Sequence, residues 1–594
     1  MRERTHHTIA RDSRGRAGRY GRTTSKGEGV TGHRTFTELI QAQAAESPER
    51  EALIILTERS GSLEPRTISY GELDHAARAL AGRLRQHIAP GDRVLLTHSS
   101  RAQFATGFLA CLYAGAVAVP VAPPGGRPHH DERIAGIVKD ASASCALTCS
   151  GEAADVSQLL ARTGYGHVTC VLSDAPHAAA GTAALELARA PSDPDAVAFL
   201  QYTSGSTRDP RGVVVTHRSL LANQEAIAKA LGTRRGARVG GWLPLHHDMG
   251  LVGQLLHALW LGGTAVLLSP TAFVKRPAHW LETISRYGLT ASGAPDFAYD
   301  LCVRRVNDAQ IAGLDLSGWD VAVTGGEPID PATLRAFAER FAPAGLRPEA
   351  LVPCYGLAEA TLLVSGAATA PADLTGGGGI AHCGPPASAD VRVVDPETHE
   401  ELPDGRTGEI WVRAAGVGPG YWARPAETAA VFDGRIGDGT ASYLRTGDLG
   451  VLVDGLLHVN GRLKDTIVVA GRNLYPQDLE RTAQRVSALF GPATAFAVPG
   501  ARERVVILQE LRAGSRYDTD LAGLVTAVQQ QLREEYEVTT GGVLLVRPGT
   551  VRRTTSGKVE RAAMRRLFLR GEVTALHQRV DPEVQRLVAS GRQR

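Results

Sequence analysis

Short apolar runs alternate with helix-length segments along most of this 594-residue chain, and that alternation limits the possible folds most strongly. The apolar runs 93–97 and 116–121, for example, are separated by the helix-length apolar segment 104–113. Strands that alternate with segments of this length are typical of βαβ units, so the sequence predicts a doubly wound α/β layer. The same rhythm returns beyond residue 213 and continues to residue 323, which predicts a second α/β subdomain.

The pattern changes after these subdomains. A Gly-rich stretch at 375–379 is followed by short apolar runs between residues 391 and 459, which indicate a small β-barrel or sheet. From residue 463 onward strands and helix-length segments mix again, so we place a domain boundary at 461–464. The predicted fold class is α/β: a large N-terminal domain of two doubly wound α/β subdomains plus a small β-barrel, followed by a small α+β C-terminal domain.

Charge and composition exclude several classes of protein. Residues 1–30 hold eight Arg and Lys against three acidic residues, a balance of +5, so the rest of the chain carries −2 of the total +3. The predicted body therefore has no basic surface for nucleic acid, and its composition predicts that the tail is disordered. The most apolar stretch, 255–274, is interrupted by His257, two glycines and Pro270, so no integral membrane contact is expected. The seven scattered cysteines fit a reducing cytoplasm.

A segment of hydroxyl residues with one Gly lies between the apolar runs 196–200 and 213–215: Thr203, Ser204, Gly205, Ser206 and Thr207. A loop of this composition offers backbone N–H groups and hydroxyls to a polyanion such as a phosphate chain. Arg211 adds a fixed positive charge at the far end of the loop. The pattern also suits a plain polar hairpin, and it is not a Walker-type P-loop because no Gly-Lys-Ser/Thr follows.

Four further motifs downstream carry charged or aromatic side chains beside a Gly or at the domain boundary. An aromatic-Gly-x-x-Glu element contains Tyr355, Gly356 and Glu359, whose carboxylate could reach a magnesium ion on a nucleotide. A carboxylate after a Thr-Gly turn, at Asp448, is suited to accepting hydrogen bonds from the two hydroxyls of a ribose. The other two motifs supply cations: Arg462, Lys464 and Lys558. Each motif alone could equally be a turn with surface charges.

With these motifs in this order, the chain from residue 36 to about 576 resembles the adenylate-forming ligase superfamily. Three longer strings resemble its fatty acyl-AMP ligase branch, whose members serve acyl carrier proteins. They are Trp-Leu-Pro-Leu-His-His-Asp-Met-Gly-Leu at 242–251, Ala-Pro-Asp-Phe-Ala-Tyr-Asp at 294–300 and Gly-Arg-Asn-Leu-Tyr-Pro-Gln-Asp at 471–478.

The resemblance implies a reaction in two steps.

ATP and Mg²⁺ are the implied cofactors. A fatty acid carboxylate attacks the α-phosphate of ATP, which releases pyrophosphate and leaves an acyl-adenylate. The phosphopantetheine thiol of an acyl carrier protein then displaces AMP, in lipopeptide or polyketide assembly.

The resemblance also implies a role for each motif residue. Lys558, Arg211 and the donors of residues 203–207 would stabilise charge on the phosphates, and Glu359 would hold the Mg²⁺ ion. Asp448 and Arg462 would bind the ribose. His247 would orient the substrate carboxylate, or else be a hydrogen-bonded structural histidine. The adenine slot would be lined by Gly325, Gly326, Glu327, Tyr355 and Gly356.

Lys464 matches the hinge of the superfamily. One lysine loop cannot stay at the α-phosphate while a pantetheine arm enters, so a rigid-body rotation between the two steps is implied. The expected domains are a basic tail at 1–34, an N-terminal adenylation domain at 35–461, a hinge at 462–464, a mobile C-terminal domain at 465–576 and a tail at 577–594.

Two departures from the family pattern bear on function. Arg208 and Arg211 stand where many relatives carry Gly and Lys, which keeps the charge but changes its geometry. The segment 364–382 is shorter than the insertion usual in fatty acyl-AMP ligases, which leaves coenzyme A open as the acceptor instead of a carrier protein.

Two further alternatives remain at this point. One is a catalytically inactive homologue that binds nucleotide or acyl groups, although such a protein would not need Glu359, Asp448, Lys464 and Lys558 together. The other is an amino-acid adenylation domain, which is disfavoured because the strand and loop after Val239 contain no carboxylate suited to an α-ammonium group.

Overall fold

The computed structural model describes residues 32–125, 128–175, 193–202, 210–366, 381–469, 472–499, 503–512, 519–554 and 557–591. The chain from Arg34 to Arg594 forms one compact unit. Within the described residues, no helix combines the length and the apolar character that crossing a bilayer requires.

The first layer is a six-stranded sheet whose strands are parallel except for the last pair. In spatial order the strands are Thr169–Leu172, Cys145–Thr148, Arg93–Leu96, Val117–Pro120, Val197–Tyr202 and Gly212–Thr216. The accompanying helices are Tyr70–Leu84, Arg101–Ala114, Pro128–Ala141 and Ala153–Arg162. Ser69 and Glu72 form a capping box that fixes where the first of these helices begins. The predicted α/β alternation is confirmed here.

The second layer is an eight-stranded sheet with a parallel centre and an antiparallel strand at each edge. In spatial order its strands are Leu363–Gly366, Leu351–Gly356, Val321–Thr324, Ala291–Ala294, Arg238–Gly241, Thr264–Leu268, Glu51–Arg59 and Ser62–Ser69. The last two come from the beginning of the chain, because the buried run at 52–56 pairs in parallel with Thr264–Leu268. The two α/β subdomains therefore share chain segments, which the sequence did not indicate.

The helices around the second sheet pack an aromatic core against it. They are Phe36–Glu46, His217–Leu231, Asp248–Gly250 continuing through Leu251–Leu256 to His257–Trp260, Pro270–Lys275, Ala278–Tyr287, Asp296–Arg305, Asp308–Ile311 and Pro331–Phe341. The middle part of the third, Leu251–Leu256, is a π-helical turn. Trp280 packs edge-to-face against Tyr299 and Trp319, with ring centroids 5.4 Å apart in both pairs.

A four-stranded antiparallel sheet and one helix complete the N-terminal part. The strands, in order, are Asp390–Val394, Gly408–Arg413, Leu444–Val453 and Leu456–Arg462, and the helix is Pro425–Phe432. The sequence predicted a small β-barrel or sheet here, and the described strands have the linear order of a sheet. Short 3₁₀ turns occur at Ala342–Ala344, Pro348–Ala350, Ala358–Ala360 and Leu463–Asp465.

The C-terminal part is α+β, as predicted. An antiparallel pair of strands, Ile467–Val469 and Arg472–Leu474, precedes a sheet of Phe490–Val498, Arg504–Leu511, Gly542–Val546 and Ala575–Val580. Its helices are Pro476–Arg485, Leu521–Tyr536, Arg561–Leu569 and Pro582–Gly591.

The expectation that residues 577–594 are a tail was wrong for most of that segment. Ala575–Val580 is an edge strand paired with Gly542–Val546, and the helix Pro582–Gly591 follows it. Val584 in this helix is fully buried. The strand has no fully buried residue, so it lacks the apolar alternation by which sequence patterns reveal strands.

Candidate active site

A cleft of about 2310 Å³ opens at the carboxyl ends of the parallel strands in the second sheet and extends to the C-terminal part. Ligand sites of open α/β sheets lie at these strand ends. Every predicted site residue within the described part of the chain lines this one cleft: Arg211, His247, Gly325, Gly326, Glu327, Tyr355, Gly356, Glu359, Asp448, Arg462, Lys464 and Lys558. Thr203, Ser204, Gly205, Ser206 and Thr207 lie outside the described residues, but Tyr202 and Pro210 on either side line the cleft.

Asp448 accepts bonds from two of the other predicted residues. Its strand pairs with the next one so that Asp448 lies opposite Arg462, whose Nε is 3.3 Å from the Asp448 carboxylate. The Tyr355 hydroxyl donates to the other carboxylate oxygen at 2.7 Å. Gly447, directly before Asp448, has φ +67°, a conformation that favours glycine and explains the Gly of the motif. The side chain of Asp448 is 12% exposed, so a carboxylate is presented to the cleft in a fixed orientation.

The buried carboxylate of Glu409 stabilises the turn at Gly447 and Asp448. Glu409 accepts from the Gly447 backbone N–H at 3.1 Å and from the Trp411 indole at 2.9 Å. It also pairs with the Arg445 guanidinium at 3.0 Å, and its side chain is only 3% exposed. Because a buried charge needs such partners, Glu409 positions the turn that carries Asp448. Sequence reasoning missed Glu409, which lies on the neighbouring strand.

Lys558 reaches the cleft from the C-terminal part of the chain. The Thr554 N–H donates to the Lys558 carbonyl at 2.8 Å, and Gly557, directly before Lys558, has φ +88°. A Cβ at Gly557 would lie 3.8 Å from the Phe297 ring, so the loop approaches the N-terminal domain.

The charges around Lys558 come from four separate segments. Burial lowers the pKa of Lys558, and the Arg462 guanidinium lowers it further. The carboxylates of Asp248, Glu327 and Asp448 act in the opposite direction and raise this pKa. These three carboxylates of the N-terminal domain line the same cleft as Lys558, so its ammonium group can meet an anion bound there.

The segment from Gly325 to Glu327 forms one wall of the cleft. Gly325 passes so close to the next strand that a Cβ would lie 2.7 Å from the Cys354 carbonyl oxygen, and Gly326 has φ +79°. Both positions therefore need glycine. Glu327 accepts from the Phe297 N–H at 2.9 Å, and its pKa is raised by burial.

Glu359 and Arg211 meet at a tyrosine that sequence reasoning did not identify. The Tyr421 hydroxyl donates to the Glu359 carboxylate at 2.8 Å, and the Arg211 guanidinium lies 5.7 Å from the centre of the Tyr421 ring. Arg211 also pairs with Glu427 at 2.8 Å. Burial raises the pKa of Glu359, whereas the Tyr421 hydrogen bond lowers it. A cation close to this carboxylate would favour its charged form.

Asp140 connects both ends of the segment 203–209. It accepts from the Tyr202 hydroxyl at 2.8 Å, and it pairs with the Arg424 guanidinium at 2.6 Å. Arg424 in turn donates to the Pro210 carbonyl at 3.3 Å and pairs with Glu427 at 2.7 Å. Tyr202 and Pro210 are the described residues that flank the segment, so one carboxylate and one guanidinium fix the spacing of its ends.

His247 and Lys464 occupy turns at the edge of the cleft. His247 directly precedes the helix that begins at Asp248, and its ring lies 4.4 Å from that of His246, centroid to centroid. Lys464 is the middle residue of the 3₁₀ turn Leu463–Asp465, which follows the last strand of the N-terminal part. Burial lowers the pKa of Lys464, and so does the neighbouring Arg462.

The residues that were missed divide into two groups. Asp248 stands inside a string quoted for its family resemblance, so its motif could have revealed it. The other group, Asp140, Glu409 and Tyr421, carried no signal in the sequence, because each acts through a partner on another element. Together the cleft offers cations from both parts of the chain, a carboxylate beside a Gly turn and a second, buried carboxylate. Such a set can bind a nucleotide and stabilise negative charge on its phosphates.

Comparison with known proteins gives the same assignment. The model of the AMP-binding enzyme family matches residues 40–422. The medium-chain-fatty-acid–[acyl-carrier-protein] ligase JamA of Moorena producens is 35% identical over 583 residues, which is 92% of this chain and 97% of JamA. The corresponding ligase TtuA of Teredinibacter turnerae is 33% identical over 605 residues, covering 91% of this chain and 94% of TtuA.

A solved structure has the same architecture. The fatty acyl-adenylate ligase from L. pneumophila, in complex with acyl adenylate and pyrophosphate, superposes with a TM-score of 0.69 at 31% identity. The superposition covers 93% of this chain and 99% of that one. The chain therefore belongs to the AMP-binding enzyme family of adenylate-forming ligases, with fatty acyl-AMP ligases and fatty-acid–acyl-carrier-protein ligases among its relatives.

Proposed function

We propose that this enzyme activates a fatty acid with ATP as the acyl-adenylate and transfers the acyl group to the phosphopantetheine thiol of an acyl carrier protein. The observation that carries the proposal is the position of Lys558. A lysine of the C-terminal part lies among carboxylates of the N-terminal domain, in the cleft that also contains Asp448 and Glu359. The names of JamA and TtuA support the same pair of substrates, an acid and a carrier protein.

The first step needs charge stabilisation rather than proton transfer. Attack of a carboxylate on the α-phosphate builds negative charge on the phosphate oxygens, and the bond to pyrophosphate breaks. Lys558 supplies a positive charge to these oxygens, and Arg211 supplies another beside the segment 203–207. Loss of one well-placed charge-stabilising group typically costs about 10²–10³ in rate.

The nucleoside part of ATP is held by residues of the N-terminal domain that line the cleft. Asp448 accepts hydrogen bonds from the ribose hydroxyls, and its bonds to Tyr355 and Arg462 keep its orientation fixed. Adenine lies against the wall of the cleft that runs from Gly325 to Glu327. His247, which directly precedes the helix that begins at Asp248, orients the carboxylate of the acid.

The residues present fit a magnesium ion bound mainly through the substrate. Within the described part of the chain, no group of three or more His, Cys, Asp or Glu side chains could hold a metal ion by itself. Mg²⁺ in phosphoryl-transfer sites is commonly bound by one or two carboxylates together with substrate phosphates. Glu359 supplies one such carboxylate, oriented by Tyr421. When bound, the ion neutralises part of the charge on the phosphates.

A panel of fatty acids tests the first step. Release of pyrophosphate from ATP is measured with hydroxylamine present, so that the acyl-adenylate is consumed and turnover continues. We expect release that depends on both a fatty acid and ATP, and we expect Lys558→Ala to reduce it about 10²–10³-fold. Lys275→Ala is the matched control, because Lys275 is exposed and pairs only with Glu58 among the ion pairs described.

The acceptor is then tested in the same reaction. Hydroxylamine is replaced by coenzyme A or by a carrier protein that bears phosphopantetheine, and the acyl thioester is measured. Faster transfer to the carrier protein supports the proposal, whereas faster transfer to coenzyme A makes the enzyme an acyl-CoA ligase. Binding of ATP and acid without pyrophosphate release would identify an inactive homologue. The shortened segment 364–382 does not decide the matter, because residues 367–380 lie outside the described part of the chain.

A further inference from the structure

The residues that line the cleft lie at both the carboxyl and the amino ends of the parallel strands, which indicates a branch along the sheet. Pro244, Phe297 and Gly325 line it at the carboxyl ends. Val239 and Ala291 line it at the amino ends, as the second and first residues of their strands. This branch, which we call the acyl channel, therefore passes along the sheet for the length of a strand.

The sheet forms one wall of the channel. The wall opposite the sheet is formed mainly by one helix. Gly250, Gly253, Gln254 and His257 line the channel from the helical segment 248–260. Their spacing of three to four residues places them on one face of this segment. Apolar side chains of other elements complete the wall near its inner part: Ile227, Leu231 and Leu362. An alkyl chain is the kind of group that such a wall accepts.

His257 is the last residue of this helical segment that lines the channel, and its polar atoms are already paired. Its Nδ1 donates to the Gln224 side-chain oxygen at 2.6 Å, so its Nε2 accepts from the Thr233 hydroxyl at 2.8 Å. Gln224 donates onward to the Val252 carbonyl at 3.0 Å. His257 is 1% exposed, and burial lowers its pKa to about 3, so the ring is neutral. The terminal methyl group of an acyl chain that contacts His257 therefore meets neither a charge nor an unpaired polar atom of this ring.

The depth of the channel follows from strand geometry, because the helical segment contains the π-helical turn Leu251–Leu256 and so has no single rise per residue. Val239 and Leu243 are four positions apart along the strand and its continuation, which corresponds to about 13 Å. An extended chain of single bonds advances about 1.2 Å per bond, so this depth holds on the order of twelve carbons.

We infer that His257 and Thr233 form the closed end of the acyl channel and limit the substrate to medium-chain acids of about twelve carbons. The inference rests on the proposed function, since it assumes that the carboxylate lies near His247. Longer acids would have to displace a hydrogen-bonded group that is packed in the core. His257 and Thr233 thus determine specificity and take no part in the chemical steps.

A chain-length series tests this inference. Pyrophosphate release with hydroxylamine is measured for saturated acids of about six to eighteen carbons. For the unchanged enzyme, kcat/KM should rise about threefold to fourfold per added methylene up to the limit and then fall sharply. In His257→Ala the limit should move to longer acids by about three carbons, because the ring spans about 4 Å. Leu231→Trp should move it in the opposite direction.

The matched control is His217→Ala. His217 is a second histidine of the same domain that is 1% exposed and accepts a hydrogen bond, from the Phe36 N–H, but it does not line the cleft. Its truncation should leave the limit unchanged. Equal activity towards acids of twelve and eighteen carbons, or a limit that neither Leu231→Trp nor His257→Ala moves, would overturn the inference while leaving the proposed function intact. If His257→Ala does not fold, Leu231→Trp decides alone. Failure of every acid to release pyrophosphate would instead contradict the proposed function.

Discussion

Lys558 is a cation whose charge depends on its neighbours. Burial and Arg462 lower its pKa, and Asp248, Glu327 and Asp448 raise it. Since the net effect is a lowered pKa, the ammonium group loses its proton at a lower pH than an exposed lysine would. The adenylation rate should therefore fall on the alkaline side as pH rises through this pKa.

Replacement of one neighbouring carboxylate should move this alkaline limit. In Asp248→Asn a negative charge beside the ammonium group is lost, so the pKa of Lys558 falls further and the limit moves to lower pH. The pH dependence of kcat/KM for the acid, measured by pyrophosphate release, checks this. Asp308→Asn, an exposed replacement outside the cleft, should leave the limit where it is. A limit that stays fixed in Asp248→Asn, or moves to higher pH, would contradict the assignment of Lys558.

At the scale of elements, the two strands Val197–Tyr202 and Gly212–Thr216 and the helix Pro128–Ala141 act together. The strands form an antiparallel pair. The helix packs against the end of the pair that adjoins the segment 203–209, so closely that a Cβ at Gly136 would lie 3.0 Å from Pro210. Asp140 on this helix bonds both Tyr202 and Arg424. Because its charge connects the described residues on both sides of the segment 203–209, we expect Asp140 to position this segment for phosphate binding.

Asp140→Asn keeps the shape of the side chain but removes the charge that pairs with Arg424. Hydrogen bonds to charged groups contribute about 1.5–3 kcal/mol, so we expect KM for ATP to rise at least about tenfold while kcat changes less. The measurement is acid-dependent pyrophosphate release at varied ATP concentration. Asp433→Asn is the control, since Asp433 also bonds an arginine and a hydroxyl, at Arg435 and Ser442, but does not line the cleft. An unchanged KM for ATP in Asp140→Asn would refute the positioning role.

Some secondary-structure elements could be predicted from the sequence, and others could not. The helix Ala278–Tyr287 matches its prediction because its large apolar residues, at 280, 281, 284 and 287, follow helical spacing. A helix was also predicted over residues 251–261, but the sequence does not show that its part Leu251–Leu256 is π-helical. The edge strand Ala575–Val580 lacks buried residues altogether. Burial of one face is what produces a periodic pattern, so elements without it remain invisible.

The candidate site divides in the same way. Asp448 and Lys558 each stand beside a Gly turn, and such turns are local features that the sequence displays. Asp140 and Arg424 are 284 positions apart, and only the packing of their elements brings them together. Tyr421 is hidden for the same reason, since its partner Glu359 lies 62 positions away. Local motifs could therefore be predicted, whereas the residues that hold them in place could not.

At the scale of the whole molecule, the two parts of the chain meet in the cleft and are joined by a short turn. The strand that ends at Arg462 belongs to the N-terminal part, and the turn Leu463–Asp465 leads into the C-terminal part. Asp465 pairs with Arg561 of the C-terminal part at 3.8 Å. Lys558 lines the cleft in this orientation. Under the proposed function this orientation serves the adenylation step, and we expect Lys558 to withdraw for transfer to a thiol.

Lys464→Pro should separate the two steps. Proline is tolerated in the first turn of a helical segment, so the described orientation and acyl-adenylate formation should be retained. A fixed φ at this position hinders the rotation, so thioester formation should fall by an order of magnitude or more. Single-turnover measurements of acyl-adenylate and of acyl thioester compare the two rates. Lys464→Ala, which removes the charge but keeps the freedom of φ, is the control. Equal losses in both steps would contradict a hinge at Lys464.

The central claim is that groups from both parts of the chain act on one ATP and one fatty acid. Exchange of labelled pyrophosphate into ATP, measured with and without a medium-chain fatty acid, tests it most directly because only reversible formation of an acyl-adenylate produces exchange. We predict rapid exchange that requires the acid, and a loss of about 10²–10³-fold in Lys558→Ala. Exchange that no acid supports, or that Lys558→Ala leaves at the full rate, would contradict the claim.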